Sequence, residues 1–90
     1  MPRYLVERSL PERLALLGPD QGAQARLTFI ENNTLDGVTW VHSYVAPDRK
    51  KSFCIYEAAT PEAVRRAAQR NGLPVDRITE VCVLDPYGHV

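Results

Sequence analysis

Little in this sequence announces a function at first sight. Cysteine occurs only twice in ninety residues, as Cys54 and Cys82, too few for a disulfide framework and without the close spacing of a zinc site. Both sit in strand-like segments, where a free cysteine usually serves as a small buried hydrophobe. Net charge is missing as well: eleven basic and eleven acidic residues cancel, so no basic patch argues for nucleic acid or an anionic membrane as partner. No apolar run is long enough to span a bilayer, and the opening Met-Pro-Arg-Tyr-Leu-Val-Glu-Arg has no apolar signal core, which makes a cytoplasmic location the expectation. The five glycines form no phosphate-binding pattern, and there is no metalloprotease motif, internal repeat or low-complexity tract.

What is present is strand material. Residues 39–59 carry two runs rich in β-branched and aromatic residues around a Pro-Asp-Arg-Lys reversal, the pattern of a β-hairpin. Strict alternation on the first run sets Trp40, His42 and Tyr44 against Val41, Ser43 and Val45. Neither set is polar enough to be left in water, so this strand is expected to be covered on both sides.

The flanking segments complete a pattern. Arg3 to Leu10 alternates Tyr4, Val6 and Arg8 against Leu5, Glu7 and Ser9, and Pro11 ends it. A Pro/Gly-containing stretch follows, with a helical turn expected at Leu14 to Leu17. Asp20 is the expected cap of a helix to about Asn33, with Ala23, Leu27 and Ile30 spaced to share one face and Phe29 beside them. Thr60-Pro61-Glu62 starts a second helix, because a threonine oxygen caps free amides and proline at the first position loses nothing. Its inner stripe is Val64, Ala67 and Ala68, and it stops at Gly72; Arg65, Arg66 and Arg70 read as a solvated face. Ile78 to Leu84 is the last strand.

The order β-α-β-β-α-β over residues 1–90 predicts a single α+β domain of ferredoxin-like type. Its four-stranded antiparallel sheet runs fourth, first, third, second, with both helices on one face. Small and branched residues (Val41, Ser43, Val45, Val81, Val83) suit the underside of the helices. The open face then receives Trp40, His42 and Tyr44 with Glu80 and Cys82, and Leu5 and Glu7 join them if Tyr4 and Val6 point inward. Pairing Ser43 with Cys54 adds Phe53, Ile55 and Glu57, whereas a one-residue slip brings Cys54 and Tyr56 instead. Glu80, Glu7, Glu57 and His42 then form a row, one from each strand, about 14 Å long. One ion cannot reach all four, since metal–donor distances are about 2 Å. Two or three neighbours with water, or ligands shared with a second subunit, can. The plainer alternative is that the glutamates pair with Arg3, Arg8 or Arg77 and that His42 is an interface residue. A Cys54–Cys82 disulfide is not expected, because the first strand separates theirs.

Several stretches together resemble a small bacterial family of unknown function described as nickel-responsive proteins: residues 1–8, Trp-Val-His-Ser-Tyr-Val at 40–45, Phe-Cys-Ile-Tyr-Glu-Ala at 53–58, Glu-Ala-Val-Arg at 62–65 and Arg-Ile-Thr-Glu-Val at 77–81. The resemblance implies a dimeric ferredoxin-like fold and, for at least some members, nickel binding; it implies no reaction. The matching polar residues are Glu7, His42, Cys54, Glu57 and Glu80. Residues 10–36 match no motif of the family. Imidazole, carboxylate and water suit nickel, although the same ligands accept zinc, and copper(II) more tightly.

The leading expectation is therefore a non-catalytic nickel-binding homodimer. A second is a dimeric α/β-barrel that binds or transforms a small molecule in an apolar pocket, with Tyr44, His42 or Glu57 handling protons. A third is an interaction module whose open face serves association alone.

Overall fold

The computed structural model describes residues 1–9 and 19–88, and side chains within that range except those of residues 19–26. The elements are β1 (Arg3–Ser9), α1 (Pro19–Leu35), β2 (Thr39–Val45), β3 (Lys51–Glu57), α2 (Pro61–Arg70) and β4 (Arg77–Val81). The sheet order is β2-β3-β1-β4, with every neighbouring pair antiparallel. This is the expected ferredoxin-like α+β arrangement. The expected helical turn at Leu14 to Leu17 lies outside the described residues.

Local chemistry accounts for the boundaries. At α2 the Thr60 side chain accepts from the Ala63 amide at 3.2 Å, with Pro61 and Glu62 in the first turn, so one orphan amide is satisfied and a carboxylate faces the positive end. Gly72, at φ 67°, then turns the chain back, and the Leu73 amide donates to the Ala68 carbonyl. The same device ends α1, where Gly37 lies at φ 69° and the Val38 amide donates to the Asn33 carbonyl at 2.9 Å. Both positions need the left-handed region that glycine enters freely. In the hairpin turn the Arg49 amide donates to the Ala46 carbonyl, and the Lys50 amide to the Asp48 carboxylate.

One face of the sheet forms the core with the helices. Tyr4 and Val6 of β1, Cys54 and Tyr56 of β3, and Ala63, Val64 and Ala67 of α2 are buried together, with Phe29 of α1 and Trp40 packed against them. The alanines let α2 lie close to the strands, as its expected stripe requires. Helix α1 departs from expectation. Leu27 and Ile30 are 55 % and 47 % exposed, whereas Asn33 is buried and Phe29 turns inward. The Phe29 ring meets Trp40 edge-on at 5.2 Å and Tyr56 at 6.2 Å. Seating that aromatic, worth more burial than either aliphatic, rotates the helix so that Phe29 faces the sheet, while Asn33 Oδ1 accepts from Asn71 Nδ2 at the end of α2.

Candidate functional site

The inner strands deliver the expected open face. In β1–β3, Leu5 pairs with Ile55, Glu7 with Phe53 and Arg3 with Glu57; paired residues share a face. Ser43 pairs with Cys54, so Phe53, Ile55 and Glu57 point away from the helices. Leu5, Phe53 and Ile55 thus make a partly buried apolar centre with no helix over it among the described residues.

The edge strands correct the reading. A β-bulge between Trp40 and His42 leaves Val41 without a partner, so Trp40 pairs with Tyr56 and His42 with Ile55. An extra residue reverses parity: Trp40 turns to the helices, and its indole Nε1 donates to Ser43 Oγ at 2.8 Å. His42 and Tyr44 stay on the open face, rings edge-to-face at 5.2 Å, with Tyr44 63 % exposed.

On β4 the expected phase is inverted. Glu80 pairs with Tyr4 and Ile78 with Val6, while Thr79 pairs with Leu5. Ile78 packs against the core, and that contact fixes the phase: Glu80 falls on the helix side, Thr79 and Val81 on the open one. Burial pushes the Tyr4 hydroxyl up, with the Glu80 and Glu62 carboxylates adding to it. Cys82 is exposed beyond the end of β4, in a surface groove with Met1, Arg3, Glu80 and Val83. It is neither the buried strand residue nor the open-face residue that alternation suggests. Cys54 is buried on the helix side. Both cysteines are free.

Of the five candidate metal ligands, His42, Glu7 and Glu57 share the open face, and Cys54 and Glu80 lie on the other. A sheet separates the two sets, so they cannot hold one ion within one subunit. His42 and Glu57 are diagonal neighbours on adjacent strands, about 7–8 Å between Cβ atoms, near enough for a shared ion with water. Glu7 stands two strands from His42 and one step along, about 12 Å away by strand spacing and rise. Both glutamates already have cations: Glu57 Oε1 lies 3.0 Å from Arg3 Nε, and Glu7 Oε2 lies 4.0 Å from Arg77 Nε. These are two of the three arginine partners named from sequence. Among the described residues no three His, Cys, Asp or Glu side chains converge on a metal position.

Arg66 and Arg70 are also accounted for, both lying against the Asp36 carboxylate. The third arginine named as a glutamate partner, Arg8, pairs with no carboxylate among the described residues, and its burial is what the sequence reading missed. It follows Tyr4 and Val6 in the inward alternation, which was the available signal, and it is 3 % exposed.

No curated protein matches this sequence. Among solved structures, the crystal structure of SCO4226 from Streptomyces coelicolor A3(2) is similar, with a TM-score of 0.69 and 21 % identity over 90 % of this chain and 96 % of that one. At that identity the likeness carries the fold. The sequence model of the family described as nickel responsive protein SCO4226-like matches residues 4–81, nearly the whole of the sheet and both helices, and the chain belongs to that family.

Proposed function

We propose that the protein is a cytoplasmic, non-catalytic nickel-binding homodimer, in which a second copy covers the open face of the sheet. The observation that carries this reading is the composition of that face. An apolar centre of Leu5, Phe53 and Ile55 has no covering layer among the described residues, and an exposed imidazole stands at its margin. Leaving such a surface in water is uncommon in a monomer, and an isologous dimer covers it with its own complement. The family's description as nickel responsive points the same way.

The donor set suits the metal in part. His42 and Glu57 supply imidazole and carboxylate, ligands that nickel accepts in an octahedral field with water. With no third donor converging on them among the described residues, the remaining positions fall to water or to the second copy. Glu7 is a donor in this scheme only across the interface. The imidazole binds metal only when neutral, so affinity falls on acidification.

The test is calorimetric titration of nickel into wild type and His42→Ala, beside light scattering. Expected are a strong loss of affinity in the variant and a dimer mass for wild type. His89→Ala, outside the described residues, should matter less than His42→Ala. A monomeric mass, or unchanged affinity in His42→Ala, defeats the reading. The apolar centre also favours a second reading, a small-molecule site enclosed by two sheets, with His42, Tyr44 or Glu57 handling protons. Elemental analysis and native mass spectrometry of tag-free protein separate the two: retained metal supports the first, a retained organic molecule the second.

A further inference from the structure

A second polar cluster lies on the opposite, helix-facing side. Arg8 is 3 % exposed and Ser52, directly across from it on β3, is 4 % exposed. Arg8 Nη2 donates to the Tyr56 hydroxyl at 3.3 Å, and the Cys54 thiol donates to Ser52 Oγ at 3.8 Å. The Arg8 Nε is buried with no hydrogen-bond partner, and among the described residues no carboxylate pairs with Arg8.

A guanidinium withdrawn from water requires compensation, because an unpaired buried charge is among the costliest features a fold can carry. Tyr56 does not supply it. Burial first, with Cys54 adding, holds its phenol above the ordinary range although Arg8 pulls the other way, so the group stays neutral. Among the described residues, what remains is a positive charge whose Nε–H has no hydrogen-bond partner, at the strand position paired with Ser52. The Ser52 hydroxyl accepts from Cys54 and so retains its own proton to donate. Two donors and a fixed cation match one oxyanion group, whose bonds to a guanidinium are short and charge-assisted.

We propose that Arg8 and Ser52 form a buried anion site between sheet and helices, which takes one oxyanion group, the carboxylate or phosphate of a small ligand. It stands on the other face of the sheet from the proposed metal ligands and is independent of them.

Thermal unfolding at fixed pH and ionic strength, in increasing phosphate or acetate against chloride, tests it. A ligand that binds only the native state raises Tm with a saturating dependence on concentration. Expected is such a rise in wild type, with the more effective anion naming the oxyanion class. The rise should vanish in Arg8→Met, and in Ser52→Ala it should require about tenfold more anion, the loss of one charge-assisted bond. An equal rise in Arg8→Met means an adventitious ion only and overturns the site. So does a wild type that no anion stabilises. If that insensitive wild type becomes responsive as Glu12→Gln or Asp20→Asn, a carboxylate of the chain fills the position instead. Should Arg8→Met fail to fold by circular dichroism, Ser52→Ala decides, and an unchanged midpoint concentration there refutes the proposal.

Discussion

Strands β1 and β3 put side chains of comparable size on their two faces, and the two sets meet different fates. Inward, Tyr4, Val6, Cys54 and Tyr56 are all 6 % exposed or less beneath the helices. Outward, Leu5, Phe53 and Ile55 are only partly buried by their own neighbours, and the ion pairs Arg3–Glu57 and Glu7–Arg77 flank them. The contrast separates two jobs. One face holds the chain together, and the other is a surface whose apolar content exceeds what the fold of one chain uses. The ion pairs set opposite charges beside the apolar centre, in a pattern that a docking surface would have to match.

Adjacent residues of β3 give the sharpest way to break this comparison. Tyr56→Ala removes a ring that is 2 % exposed and touches Phe29, and should cost about 3–5 kcal/mol in denaturant unfolding. Ile55→Glu, one position along, should leave the far-ultraviolet spectrum native and change the mass by light scattering from dimer to monomer. A carboxylate at the centre of an apolar interface is desolvated without a partner. If instead Ile55→Glu unfolds the chain while Tyr56→Ala does not, the roles of the faces are reversed.

The faces should also part company in alkali. Tyr56 has a folded-state pKa raised above the ordinary value of 10.0, chiefly by burial. For an acid raised on folding, the stabilising difference is fully present below the unfolded value and is lost as pH rises beyond it. Stability should therefore decline above about pH 10, by up to about 1.4 kcal/mol per unit for this one group. Tyr56→Phe should flatten that slope. An identical slope in the variant would assign the decline to other residues.

How much of this was legible beforehand differs by strand position. The phases of β1 and β3 follow from Tyr4/Val6 and from the Ser43–Cys54 pairing, and α2 announces itself through Thr60, Pro61, Glu62 and an alanine stripe. The bulge does not. Trp-Val-His-Ser-Tyr-Val fits unbroken alternation with no glycine to mark an extra residue, and only the tertiary contact of Trp40 with Phe29 pulls it inward. On β4, Ile78, Val81 and Val83 are comparable anchors for opposite phases, and the choice is made by the Val6–Ile78 pair on β1. Glu80 was lost to the phase of β4, and Cys54 falls on the helix side as the Ser43–Cys54 pairing has it, whereas Glu57 and Glu7 keep the open face on the inner strands and His42 keeps it on the edge strand β2. Helix α1 misled through its aliphatics, since Leu27 and Ile30 look more like an inner stripe than Phe29 and Asn33 do.

The bulge itself can be probed with a smaller effect. Ser43→Ala removes the acceptor for the Trp40 indole, which is only partly buried, and should cost about 1 kcal/mol. The bulge sets which way Trp40 points, while His42 keeps its pairing with Ile55, so nickel affinity should be unchanged as stability falls. A stability that does not change would mean that the bulge is held by Trp40 packing alone.

The smallest expected effect is the most discriminating for the open face. Arg3 and Glu57 form an ion pair with side chains 36 % and 33 % exposed, and at that exposure solvent screening leaves it worth about 0–1 kcal/mol. Glu57→Gln in dilute protein, where any dimer has dissociated, should therefore change unfolding by no more than that. If a second copy covers the face at high concentration, it withdraws the pair from water, and removing one partner then strands the other charge, which costs several kcal/mol when burial is complete. The penalty of Glu57→Gln should then grow with protein concentration, whereas that of Tyr56→Ala, in the covered core, should not. A Glu57→Gln penalty that stays flat from dilute to concentrated protein would mean that nothing covers this face, and the helix-facing side would be the only one that this chain buries.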